Sequence, residues 1–151
     1  MKVVFHEAFY QVYAGDPAAA AGRMEAIMKV VEPAVETVQA VPATEKQIAA
    51  VHTRSHMERV KRQGVHEVAA IAAGGALQAA EIGMAEPCFG LIRPPGHHAS
   101  SDSAWGFCYY NNMAVAVHHL KARRKIRAAY ILDIDFHFGD CLLYTSPSPR
   151  D

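Results

Sequence analysis

Three pieces of sequence decide the fold: CFGLIRPPG at residues 88–96, NMAVAVHHLKARR at residues 112–124 and AAYILDI at residues 128–134. Cys88 to Arg93 is a short apolar run ended by Pro94-Pro95-Gly96, so it reads as a buried strand stopped by a rigid turn. Asn112 to Arg124 has helical periodicity, and Ala128 to Ile134 is a second apolar run rich in β-forming residues. Strand, helix and strand in this order predict a βαβ unit, with two parallel strands joined by a right-handed crossover.

Working towards the N-terminus, Lys2 to His6 reads as a strand and Tyr10 to Gly22, with Gly15-Asp16-Pro17, as a loop. A helix is expected over Arg23 to Thr37, kinked or ended at Pro33, which lacks the N–H that a helix interior needs. Thr44-Glu45-Lys46-Gln47 has the form of a capping box and predicts a helix from Thr44. Short helical segments follow at Ser55 to Gln63 and, rich in alanine, at Val65 to Gly83, where small side chains permit close packing against a sheet. The expected fold class is α/β, a parallel sheet flanked by helices. Residues 1–140 form one domain, its C-terminal part missing. Residues 141–151, a Ser/Pro stretch without periodicity, read as a tail foreign to it.

Composition excludes several classes. The chain has 151 residues, 51% of them hydrophobic, and Lys plus Arg equals Asp plus Glu at 15 each. That balance gives no basic field for nucleic acid. No apolar run reaches the length of a membrane span, and the opening turns polar too early for a signal peptide, so a cytoplasmic protein is expected. Cys88, Cys108 and Cys141 are an odd, widely spaced set that suits reduced thiols.

The chemistry concentrates at the two expected strand ends. Ligands of open parallel sheets bind beyond the carboxyl ends of the strands. His97-His98 follow the first strand, and Asp133, Asp135 and His137 close the second. Residues at i, i+2 and i+4 of an extended chain share one side, so a carboxylate and an imidazole converge there. Asp135 and His137 are suitable zinc ligands, although a hydrolytic zinc site takes three protein donors and the third is not visible. His97 and His98 can divide the work of general base and acid, with Asp133 and Asp140 as carboxylates that orient them. A lone Asp-x-His is more often a strand-end turn, and a lone His-His pair, such as His118-His119, is commonly surface. The conjunction of two motifs at neighbouring strand ends favours the functional reading.

Arg93-Pro94-Pro95-Gly96-His97-His98-Ala99, then Trp105-Gly106-Phe107-Cys108-Tyr109-Tyr110-Asn111-Asn112, then Leu132-Asp133-Ile134-Asp135-Phe136-His137-Phe138-Gly139-Asp140, resemble successive signatures of the histone deacetylase and acetylpolyamine amidohydrolase superfamily. Gly22-Arg23-Met24-Glu25-Ala26 and Asp16-Pro17 extend the likeness to residues 1–140. The resemblance implies an arginase-deacetylase fold and a zinc hydrolase acting on acetylpolyamines, acetyl-lysine or related acyl-amines, whether small molecules or peptides. By motif position, Asp135 and His137 bind Zn2+, His97 pairs with Asp133, and His98 pairs with Asp140 and is the base. Asp133 also serves a structural K+, and Gly106 and Phe107 line a substrate tunnel. Arg23 resembles an arginine near an inner acetate channel. Phe138, where many eukaryotic members have a second histidine, points to a prokaryotic branch. The later aspartate ligand and tyrosine of the family have no counterpart here, so the 151-residue chain by itself is expected to be inactive. Two other readings are a noncatalytic module that binds acetylated ligands and a nonfunctional gene fragment. An arginase-like ureohydrolase is disfavoured, because its Asp-Ala-His-Ala-Asp cluster is absent.

Overall fold

The computed structural model describes residues 1–139 and 141. Its sheet has the strand order β2-β1-β3, all parallel, with β1 at Lys2–Phe5, β2 at Glu36–Gln39 and β3 at Cys88–Gly90. The helices are α1 (Arg23–Val31), α2 (Glu45–Ala49), α3 (Arg54–Arg62), α4 (His66–Gly83) and α5 (Asn112–Ala122). Val3 and Val4 of β1 are fully buried. A central strand of a parallel sheet is covered on both faces, which is why this one reads VVF without polar alternation.

α4 is the spine. Val68 and Ala72 meet β1 together with Phe5, Phe9, Met24 and Met28, while Ala69, Ala70 and Ala73 turn to Ile48, Met57, Val60, Tyr110 and Val115. Ala76 and Leu77 complete the contact with Ala116 of α5. The alanine-rich stretch is thus buried on most sides, and its small side chains let the sheet and three helices share one element. The expected capping box at Thr44 is present, and α5 carries a cap of its own. Thr44 Oγ1 accepts from Gln47 N–H at 3.3 Å while Gln47 Oε1 accepts from Thr44 N–H at 2.7 Å. The Asn111 side chain caps α5 by accepting from Ala114 N–H at 3.0 Å.

Three expectations need correction. The helix read over Arg23 to Thr37 ends at Val31; Glu32–Ala34 forms one 3-10 turn around Pro33, and Glu36–Gln39 is extended and pairs with β1. Pro33 removes the donor a helix would need, and the edge of β1 offers ladder partners instead. The second strand, expected at Ala128 to Ile134, does not form. That segment makes no ladder, and Tyr130, Leu132 and Ile134 are 87%, 71% and 88% exposed. β3 and α5 therefore do not belong to the predicted βαβ unit; the parallel pair with an intervening helix is β1-α1-β2. Finally, the His118-His119 pair is not merely surface. His119 Nε2 lies 3.2 Å from Glu81 Oε1 of α4 and Nδ1 3.3 Å from Gln47 Nε2 of α2, so it ties three helices together.

Among the described residues no helix is long and apolar enough to cross a membrane. Three histidines in the helical layer are held neutral. Burial pushes His52 down to about 4 and also lowers His56 and His66. The unfolded chain therefore takes up protons that the fold excludes. The stability these groups contribute is intact above about 6.5 and is lost as pH falls towards 4, on the order of 3 kcal/mol for His52 alone. Urea denaturation at pH 7 and pH 4.5 is expected to show this loss, and His52→Gln to flatten it; an equal slope in both proteins would contradict the assignment.

Candidate active site

Beyond β3 the chain turns through Arg93-Pro94-Pro95-Gly96, with a cis bond before Pro94. Arg93 is 5% exposed and has no carboxylate partner among the described residues. Its guanidinium instead donates to the carbonyls of Phe9 (2.6 Å), Tyr10 (3.4 Å), Gln11 (2.9 Å) and Ala20 (3.3 Å), and it lies over the Tyr13 ring. A rigid fork of donors thereby fastens the 9–20 loop to the turn that presents the histidine pair. Gly96 permits the second fastening. A Cβ there would overlap the Tyr110 carbonyl oxygen and come within 2.6 Å of Asn112 N, so backbone runs against backbone. Asn112 Nδ2 closes the contact by donating to Pro94 O at 2.9 Å.

Held in this way, His97 and His98 stand with ring centroids 4.0 Å apart. His97 Nδ1 meets Asp133 Oδ2 at 3.0 Å, and its Nε2 lies 4.0 Å from Asp135 Oδ2. His98, 3% exposed, stacks on Trp105 at 3.5 Å and stands 6.1 Å from the His137 ring. Asp135 Oδ2 accepts from His137 N–H at 2.8 Å and lies 3.1 Å from His137 Nδ1. The backbone donor first, then the imidazole, holds the Asp135 carboxyl below its ordinary value.

Asp133, Asp135 and His137 were expected to share one side of an extended strand. They instead bend at Phe136-His137 through side chain to backbone bonds, Asp133 Oδ1 accepting from Asp135 N–H at 3.1 Å. Carboxylates in short i to i+2 bonds compete with the ladder and turn the chain. The groups still come together. A cavity of about 420 Å³ is lined by His97, His98, Asp135, His137, Trp105, Gly106 and Phe107, with Tyr13, Asp16 and Arg23 on the far wall. Asp133 lines the adjoining cavity instead. Asp140, the expected partner of His98, lies outside the described residues.

Gly106 and Phe107 adopt positive φ of 57° and 50°, and a Cβ at Gly106 would come 2.7 Å from His98 Cδ2. Gly106→Ala is therefore expected to push the His98 ring off Trp105 as well as to strain the backbone. Because Trp105 is the chain's one tryptophan, its emission reports the change; an unaltered spectrum would contradict the contact.

Asp135 and His137 fit zinc in donor chemistry, a carboxylate and an imidazole held about one ligand spacing apart, but they are two. Among the described residues no three His, Cys, Asp or Glu side chains stand in a metal-holding group. Sequence reasoning gave Arg93 no task and passed over Tyr13, His52 and His56. An arginine ending an apolar run beside a proline pair was a usable signal; nothing in the segment between α2 and α3 marked His52.

Fold and site together define an α/β protein with a histidine-carboxylate site beyond the carboxyl edge of a parallel sheet. The histone deacetylase domain family matches residues 18–144, and the chain belongs to that family. Relatives include a histone deacetylase-like amidohydrolase of Pseudomonas aeruginosa, 35% identical over 67% of this chain and 32% of its own length. A probable deacetylase of Archaeoglobus fulgidus is 49% identical over 51% of this chain and 22% of its own. A polyamine deacetylase of Danio rerio is 31% identical over 70% and 20%. The chain thus spans a third or less of the relatives it matches.

Proposed function

We propose that this chain is the N-terminal part of a zinc-dependent hydrolase that removes acetyl or related acyl groups from amines, acetylpolyamines and acetyl-lysine being the candidate substrates. The observation that carries the reading is the shared cavity, where His97, bonded behind to Asp133, comes within 4.0 Å of Asp135, itself paired with His137. In this reading Asp135 and His137 hold zinc, which when bound supplies a Lewis acid that polarises the acyl carbonyl and acidifies a water. His98, desolvated between Trp105 and His97, takes the proton of the attacking water, and Asp140 orients it. His97, its Nδ1 fixed by Asp133, is placed to return a proton to the leaving amine.

Gly106 and Phe107 form an apolar wall for an aliphatic stem, and Asp133 oxygens are the candidate donors for a structural potassium ion. The relative named as a polyamine deacetylase supports the small-molecule arm. We place the protein in the cytoplasm, without a nucleic acid or membrane partner.

Two donors seldom hold catalytic zinc, so the 151-residue chain by itself is expected to be inactive. The test is acetate release from N-acetylated polyamine and acetyl-lysine peptide. It compares the chain alone with a polypeptide in which residues 1–139 are continued by the C-terminal part of the Pseudomonas aeruginosa relative. Zinc-dependent release by the continued polypeptide, lost on chelation, is expected. A continued polypeptide that folds, binds zinc and releases no acetate would overturn the reading.

A further inference from the structure

The loop at residues 99–111, which carries Trp105, Gly106 and Phe107, is held from one side by residues 52–59. Thr53 N–H donates to Ser101 O at 2.8 Å, and the Arg59 guanidinium donates to the Asp102 carbonyl. His56 Nε2 donates to Tyr109 O at 2.7 Å, and His52 Nε2 accepts from Asn111 N–H at 2.9 Å. Both imidazoles are 3% exposed and stack with centroids 5.0 Å apart.

Their tasks are opposite and fix opposite tautomers. His52 must keep Nε2 bare to accept, and His56 must carry its proton on Nε2 to donate. Plain packing does not explain such a pair. A buried polar ring costs desolvation that a leucine of similar volume avoids. The polar atoms that are used go to the backbone of the loop on which Trp105 rests, and Trp105 covers His98 at 3.5 Å.

We infer that His52 and His56 are positioning residues, which hold the 99–111 loop so that Trp105 packs over His98 and Gly106-Phe107 forms the wall of the cavity. The catalytic meaning of this rests on the hydrolase reading above; the positioning itself does not. Burial keeps both rings neutral at physiological pH, as the two hydrogen bonds require.

The experiment uses the 151-residue chain without metal or substrate, so its failure is separate from failure of the hydrolase assay. His52→Leu and His56→Leu are compared with His52→Gln and His56→Gln, whose side-chain amides can accept from Asn111 N–H and donate to Tyr109 O. Met28→Ala, a core truncation on α1, which packs in the cluster around β1, controls for lost stability.

The leucine variants are expected to retain their helical circular dichroism but to shift Trp105 emission and make it more accessible to acrylamide. In His52→Leu the Asn111 amide is expected to exchange about tenfold faster, the loss of roughly one net hydrogen bond. The glutamine variants restore the parent values, and Met28→Ala leaves the Trp105 signal in place. If a leucine variant does not fold, the matching asparagine variant, too short to make the bond, gives the same readings. Parental Trp105 emission and Asn111 exchange in the variants lacking the bond, or an equal change in Met28→Ala, would overturn the inference.

Discussion

Gly74→Ala is expected to destabilise the fold by about 3 kcal/mol. In an isolated helix the same change would help by about 1 kcal/mol, because alanine is the better helix former. Tertiary contact decides the sign. A Cβ at Gly74 would overlap the Val41 carbonyl oxygen and come within 2.5 Å of Ala43 N and 2.8 Å of Pro42 C, all backbone atoms. They cannot step aside, since Ala43 N–H is already bonded to Ala70 O of the same helix at 2.8 Å. Gly83, with nothing within 4 Å of its Cβ position, is the internal comparison. Chemical denaturation is expected to show Gly83→Ala near the parent and Gly74→Ala far below it. Equal midpoints for the two would mean that α4 does not lie against the 41–43 segment.

His98→Ala, in a polypeptide that hydrolyses, is expected to lower kcat by about 10³-fold, the usual worth of a general acid or base. Asp133→Asn should cost less, about 10- to 100-fold, because it acts through the orientation of His97. The structural reason for this ranking is exposure and geometry. His98 is enclosed beside the cavity, whereas Asp133 is bonded to His97 Nδ1 and faces the adjoining cavity. Steady-state kinetics on the acetylated amine separates the two, with KM little changed for His98→Ala. Loss of activity in the reverse order would move the proton-transfer role to the His97-Asp133 pair.

Much of the helical layer was legible because its signals are local. The Thr44 box and the alanine-rich run of α4 are each written within a few residues. β2 was not legible. Glu36-Thr37-Val38-Gln39 is short and mostly polar, directly follows a helical stretch, and becomes a strand only because β1 presents an open ladder. The opposite error arose at Ala128 to Ile134, where β-forming composition met the local requirement but no ladder partner is found among the described residues. The site shows the same division. His97, Asp133, Asp135 and His137 were found from motif and strand-end position, and the structure brings them to one place even though the backbone there is bent. His52, His56 and the carbonyl-binding role of Arg93 depend on contacts across 53 to 84 residues of chain, which no local pattern records.

The central claim is that Asp135 and His137 offer zinc a shared position beside, and not on, the His97-His98 pair. Imidazole NMR of the chain during titration with zinc tests it most directly. The expected result is a response centred on His137, absent in Asp135→Ala, with His52 and His56 unmoved. A response that persists in both Asp135→Ala and His137→Ala, or that centres on His118 and His119, would contradict the account.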